Sequence, residues 1–101
     1  MSATLLLAAT TSATASAAVN ARANALPISF IAVPALGAGE TGVIQVSPDN
    51  GTTWVNVISG GLTQQLSPND TVVTVYGSGL YRVNKGASAG STAIYVAAVT
   101  D

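Results

Sequence analysis

After residue 26 the chain alternates apolar and polar positions in short runs cut by Gly, Pro, Asn and Asp. Residues 28–33 form the first run, with Pro27 and Pro34 as its stops, and predict a strand. Residues 37–40 predict a turn, and residues 41–47 and 53–58 predict the two arms of a hairpin. Gly60-Gly61 breaks the chain, residues 62–66 make a short strand, and Ser67-Pro68-Asn69-Asp70 turns it again. Residues 71–76 carry strong β-propensity, and Gly77-Ser78-Gly79 is expected to reverse them into a strand over 80–85. A flexible loop at 86–91 precedes a closing strand at 92–99. This punctuation predicts an all-β antiparallel sandwich or jelly-roll-like barrel over residues 26–101. No helical crossover fits between the strands after residue 40, which argues against a parallel sheet. Alternation sends Ile44, Val46, Val73, Val75, Tyr81, Val83, Ile94 and Val96 to a common interior.

Residues 1–25 are different: Ala, Thr and Ser dominate, with no charge before Arg22. Ala favours helix, Thr and Ser favour extended chain, and there is neither a cap signal nor a 3.6-residue period. The segment reads as an extended arm or edge strand, ordered against a neighbouring copy, with a frayed tail as the alternative. Leu5-Leu6-Leu7-Ala8-Ala9 looks like a short signal core, but no Lys or Arg precedes it, so cleavage is not expected. The other apolar stretch, 26–39, is interrupted by Pro27, Pro34 and Gly37 and is too short to span a bilayer.

The strongest local signal is Ser47-Pro48-Asp49-Asn50-Gly51-Thr52-Thr53-Trp54, set between two β-branched runs. Pro48 presets φ for a turn, Asp49 can accept bonds from turn N–H groups, and Gly51 can adopt a positive φ. Trp54 is expected to return its ring to the buried face. The pattern Ser47, Asp49, Gly51, Trp54 resembles an Asp-box, the hairpin signature of sialidase-type propeller blades. That motif is structural, and one copy does not make a propeller.

Composition narrows the function classes. Charged residues are only 7% of the 101, against roughly 25% in ordinary soluble domains. With so little charge to keep copies apart, much of the surface is expected to be covered by other subunits. Net charge is −1, and the only bases are Arg22, Arg82 and Lys85, too few and too scattered for a nucleic-acid footprint. With no Cys, disulfides and Cys-based metal sites are excluded, and the absence of His and Cys removes the usual general base and the strongest nucleophile. Glu40, Asp49, Asp70 and Asp101 are the only carboxylates; Asp49 and Asp70 sit in turns where Asp is a structural residue. No enzyme activity and no cofactor are expected, and the Asp49-Asn50 loop is short of ligands for calcium. Arg82 and Lys85 read either as solvated edge charges that discourage strand addition or, with Arg22, as contacts between subunits. Trp54, Tyr76, Tyr81 and Tyr95 read as core and polar-tipped rim rather than a sugar-binding face.

The run 42–54, followed by 72–85, resembles small β-sandwich virion proteins of tailed bacteriophages. The nearest analogy is to capsid decoration (cement) proteins that sit on the outer shell, often as trimers. The resemblance covers about residues 28 to 99 and carries no binding residues over. It implies a homo-oligomeric virion protein on the outer capsid surface, partnered by the major capsid protein and copies of itself, with no membrane. Its mechanism would be multivalent stapling, with residues 2–25 and 86–91 as contact elements. Two alternatives stand beside it: another phage part such as a head fibre base or tail protein, and a small carbohydrate-binding module.

Overall fold

In the computed structural model, which describes residues 3–21, 27–76 and 79–98, the alternation becomes strands and no helix. In chain order these are β1 (Ala3–Thr10), β2 (Thr14–Ala15), β3 (Val19–Ala21), β4 (Ile28–Val33), β5 (Gly42–Ser47) and β6 (Val55–Asn56). They continue with β7 (Ile58–Ser59), β8 (Leu62–Thr63), β9 (Gln65–Leu66), β10 (Val72–Val75), β11 (Gly79–Lys85) and β12 (Thr92–Ala98). Sheet A is four-stranded, ordered β1-β12-β4-β10. Sheet B runs β2-β11-β5-β6, with β3 also on β11 and β9 also on β5. Every pairing is antiparallel, so the fold is an all-β sandwich-like arrangement.

The inward positions of both sheets make one core. Phe30, Ile44, Leu66, Val83 and Ile94 are fully buried, with Ile28, Leu36, Val73, Val75 and Tyr81 around them. All eight residues that alternation places inside belong to this cluster or pack on it, Val46 and Val96 as partly buried members. Leu6, Leu7 and Val19 pack on it too, so the Ala-rich N-terminal segment contributes to the core.

That segment serves both sheets. β1 is an edge strand on β12, with register shifts after Leu5 and after Leu7. The chain then crosses to sheet B, where β2 and β3 lie on β11. Between them Ser16 is buried and stands in for a ladder rung. It donates its N–H to the Val83 carbonyl (2.8 Å), and its Oγ accepts the Val83 N–H (2.9 Å). Val83 thus keeps both backbone bonds where the chain leaves regular pairing.

The predicted 47–54 hairpin joins β5 to β6. The expected reversal of β10 into β11 does not occur: β10 belongs to sheet A and β11 to sheet B, so the chain crosses between layers. Of the turn assigned there, Gly77 and Ser78 lie outside the described residues. Gly60 and Gly61, with φ of +62° and +80°, close the β7–β8 hairpin, as a two-residue loop with both central φ positive requires. Ile44 explains why that hairpin stands off. Its N–H donates to Gln64 and its carbonyl accepts from Val57, so β6 and β9 share one edge of β5 and residues 58–63 are expelled from it.

Candidate functional site

The two outer faces of the sandwich differ in charge. β1, β4, β10 and β12 contain no charged residue at all. Register sets Leu5 beside Tyr95, Tyr95 beside Ile31, and Ile31 beside Val72, one apolar row across all four strands of sheet A. Leu5 is 50% exposed, Val72 54% and Val33, one step along β4, 49%, while Ile31 and Tyr95 are half-buried. Polar atoms on this face are few: Ser29 and Thr74 satisfy each other through a 2.8 Å hydroxyl bond. A free-standing antiparallel sandwich ordinarily turns polar side chains outward, so this face has the composition of a contact surface.

The same sheet has an open edge. Ala32 N–H donates to Thr71 O, so Thr71, Val73 and Val75 turn their backbone groups to β4. Val72 and Thr74 therefore turn theirs away from it, and among the described residues no strand pairs on that side. The edge forms one wall of a trough of about 680 Å³, with Leu62, Thr63 and Gln64 on the other wall and Asp70 at its lining. A smaller hollow of about 310 Å³ continues it between Ile58 and Tyr76. Tyr76, Leu62 and Ile58 are 76%, 71% and 63% exposed, so Tyr76 is no part of the core.

Sheet B turns Gln45, Asn56, Arg82 and Asn84 outward, with the half-buried Val43 and Leu80 on the same face. Arg82 lies opposite Gln45, and Gln45 opposite Asn56. Arg82 Nε donates to Gln45 Oε1 (2.8 Å), and Gln45 Nε2 donates to Asn56 Oδ1 (3.0 Å). The guanidinium carbon lies 4.4 Å from the centroid of the Trp54 ring. Trp54 is accordingly half-buried on the outer face, not returned to the interior as the sequence suggested. One residue before β6 it shares the parity of Asn56, and Arg82 supplies its cover.

The Asp-box-like residues do local work. Ser47 Oγ accepts from Gly51 N–H (2.7 Å) and Asp49 N–H (3.3 Å) and donates to Asp49 Oδ1 (3.0 Å). Asp49 Oδ1 also accepts from Thr53 N–H (2.7 Å), which holds its carboxyl below the ordinary range. Asn50 and Gly51 take φ of +62° and +98°, the latter the positive φ expected of Gly51.

Lys85 is not a solvated edge charge. β11 is flanked by β5 on one side and β2 and β3 on the other, and Lys85 is 1% exposed. Three positions from Arg82, it takes the opposite parity and points inward. Its ammonium donates to Ser88 Oγ (2.9 Å), Gly86 O (3.0 Å) and Ser12 O (3.4 Å). Glu40 completes the knot, accepting from Gly37 N–H (2.6 Å) and Ala89 N–H (2.8 Å). The Ala89 and then the Gly37 bond, with a smaller contribution from the Lys85 charge, hold its carboxyl below the usual range. Together Lys85 and Glu40 tie the 86–91 loop to the 37–40 turn and to Ser12. Arg22 lies outside the described residues, and among those described no group of three or more acidic, His or Cys side chains is placed to hold a metal.

No family model, curated protein or solved structure matches this chain.

Proposed function

We propose that this chain is a non-enzymatic virion protein of the capsid decoration, or cement, type, seated on the outer surface of a phage-type shell. Its partners are the major capsid protein and further copies of itself, with a trimer as the favoured assembly. The observation that carries the reading is the charge-free outer face of sheet A with its Leu5–Tyr95–Ile31–Val72 row. Burying such a face yields about 25 cal/mol per Å² of apolar area, part of which offsets the lost freedom of the docked subunit. One subunit touching two shell proteins gains further from effective concentration, and binding only the assembled lattice stabilises it by linkage. The polar face of sheet B would then remain toward solvent.

The test compares shells with and without the protein under heat and low salt, alongside Val72→Asp and Leu5→Asp variants. Both positions are about half exposed, so the variants should fold while losing shell binding. Bare shells as durable as decorated ones would sink the stapling role. Variants that bind as tightly as the parent would sink the assignment of the face.

A further inference from the structure

We propose that the outer face of sheet B binds a carboxylate-bearing saccharide, with the Arg82 guanidinium as its anion clamp. Arg82 is fixed by two contacts: Nε is engaged by Gln45 Oε1, and the guanidinium carbon sits 4.4 Å over the Trp54 ring. The Nε bond leaves the edge that carries the two Nη atoms, and among the described residues no hydrogen bond from them is made. A guanidinium held by its Nε side presents two parallel N–H groups from its Nη atoms, the geometry that receives a planar carboxylate bidentately.

Charge complementarity points to an anion. Lys85 is buried among neutral acceptors, so among the described residues Arg82 is the cation that sheet B turns outward. The acidic group of the adjoining hairpin, Asp49, is engaged by Thr53 and Ser47. The surroundings point to a sugar. Asn56 gives its Oδ1 to Gln45 and so keeps its amide N–H groups for a ligand. Asn84 lies two residues along β11 on the same face, roughly 7 Å from Arg82. Amides that donate and accept side by side match vicinal hydroxyls. Trp54 orients the cation here; its covered face is not a stacking platform. An acidic peptide is the weaker occupant, because β11 and β5 are paired on both sides where Arg82 and Gln45 sit and offer no backbone for strand addition. A phosphate would want more than one cation or a nest of backbone N–H groups. The site lies opposite the apolar face of sheet A and does not depend on what that face contacts.

The test is an NMR titration of the intact protein with glucuronate and with N-acetylneuraminate, using glucose, acetate and an acidic peptide (acetyl-Glu-amide) as comparators. The Arg82 Nε–H, the Trp54 indole N–H and the Asn56 side-chain amide should shift together and saturate with the acidic sugars, while glucose gives no saturable shift. Added salt should weaken the binding. Arg82→Lys should weaken it by about tenfold or more, because the two-pronged geometry is lost. The shift map in the unmodified protein stands whether or not the variant folds well. Shifts that fall elsewhere, glucose binding as well as glucuronate, or Arg82→Lys binding unchanged would each overturn the site. Acetate or the acidic peptide binding as tightly as the sugar acids would overturn the saccharide assignment.

Discussion

Replacing Lys85 separates two contributions that one buried side chain makes. Lys85→Ala removes three methylenes from a position that is 1% exposed, at about 0.8 kcal/mol each, or about 2.4 kcal/mol. It also leaves the Gly86 carbonyl and Ser88 hydroxyl without their ammonium donor, which costs about 1–3 kcal/mol more. Lys85→Met keeps a stem of similar length and loses only the second contribution. Desolvation of the ammonium works in the opposite direction and is relieved in both variants. The gap between the two variants is insensitive to that relief and should be about 2 kcal/mol. Three acceptors within 3.4 Å should outweigh desolvation, so Lys85→Met should also fall below the parent, by about 1 kcal/mol or more. Urea unfolding at pH 7, followed by the fluorescence of the single tryptophan, gives both numbers, provided the slope with urea is unchanged. A Met variant at least as stable as the parent would refute the reasoning: the ammonium would then cost more to bury than its bonds return. Equal stability of Ala and Met would show that the stem is not packed.

Glu40 and Asp49 both hold carboxyl pKa values below their ordinary ones, by bonds from Ala89 and from Thr53 respectively. Each contributes stability that is present above its unfolded value, near 4, and is lost as pH falls through the lower folded value. Melting temperature should therefore drop on acidification below about pH 4.5, and Glu40→Gln should flatten that drop without abolishing it, which a melting series from neutral to acid pH would check. Ser47→Ala takes away the acceptor for Gly51 and Asp49 N–H and should cost about 1–2 kcal/mol, read in the same urea assay.

The class of fold was legible in the sequence because alternation survives wherever one face of a strand is buried. Ile44, Val73, Val83 and Ile94 carry that period plainly, and Pro27, Pro34 and the Gly60-Gly61 pair mark strand limits or turns. Sheet membership was not legible. Residues 71–76 and 80–85 look like hairpin arms because a Gly-rich link joins them, yet a link permissive enough to reverse a strand also lets it change layers. Lys85 lies inside for a reason its charge masks: it shares the period-2 parity of the buried Tyr81 and Val83, and neutral acceptors from the 86–91 loop and Ser12 receive its ammonium. The Ala-rich start gave no period because β1 slips register twice, so no single alternation runs through it. The contrast between the sheets was present in the charge-free composition of residues 28–33, 72–75 and 92–98, but only the register aligns those residues into one row.

The pairing of β1 with β12 also bears on how the chain is made. Ala3 lies opposite Ala97, so β1 is made before every other described strand and must wait for β12 to emerge before it finds its place. Until then an uncharged strand with three consecutive leucines lacks the one strand that pairs with it among the described residues. Contacts so far apart in sequence slow folding and lengthen the time during which such a strand can associate wrongly. A pulse of synthesis followed by protease challenge should find resistance arriving only once residues 92–98 are free, late and all at once.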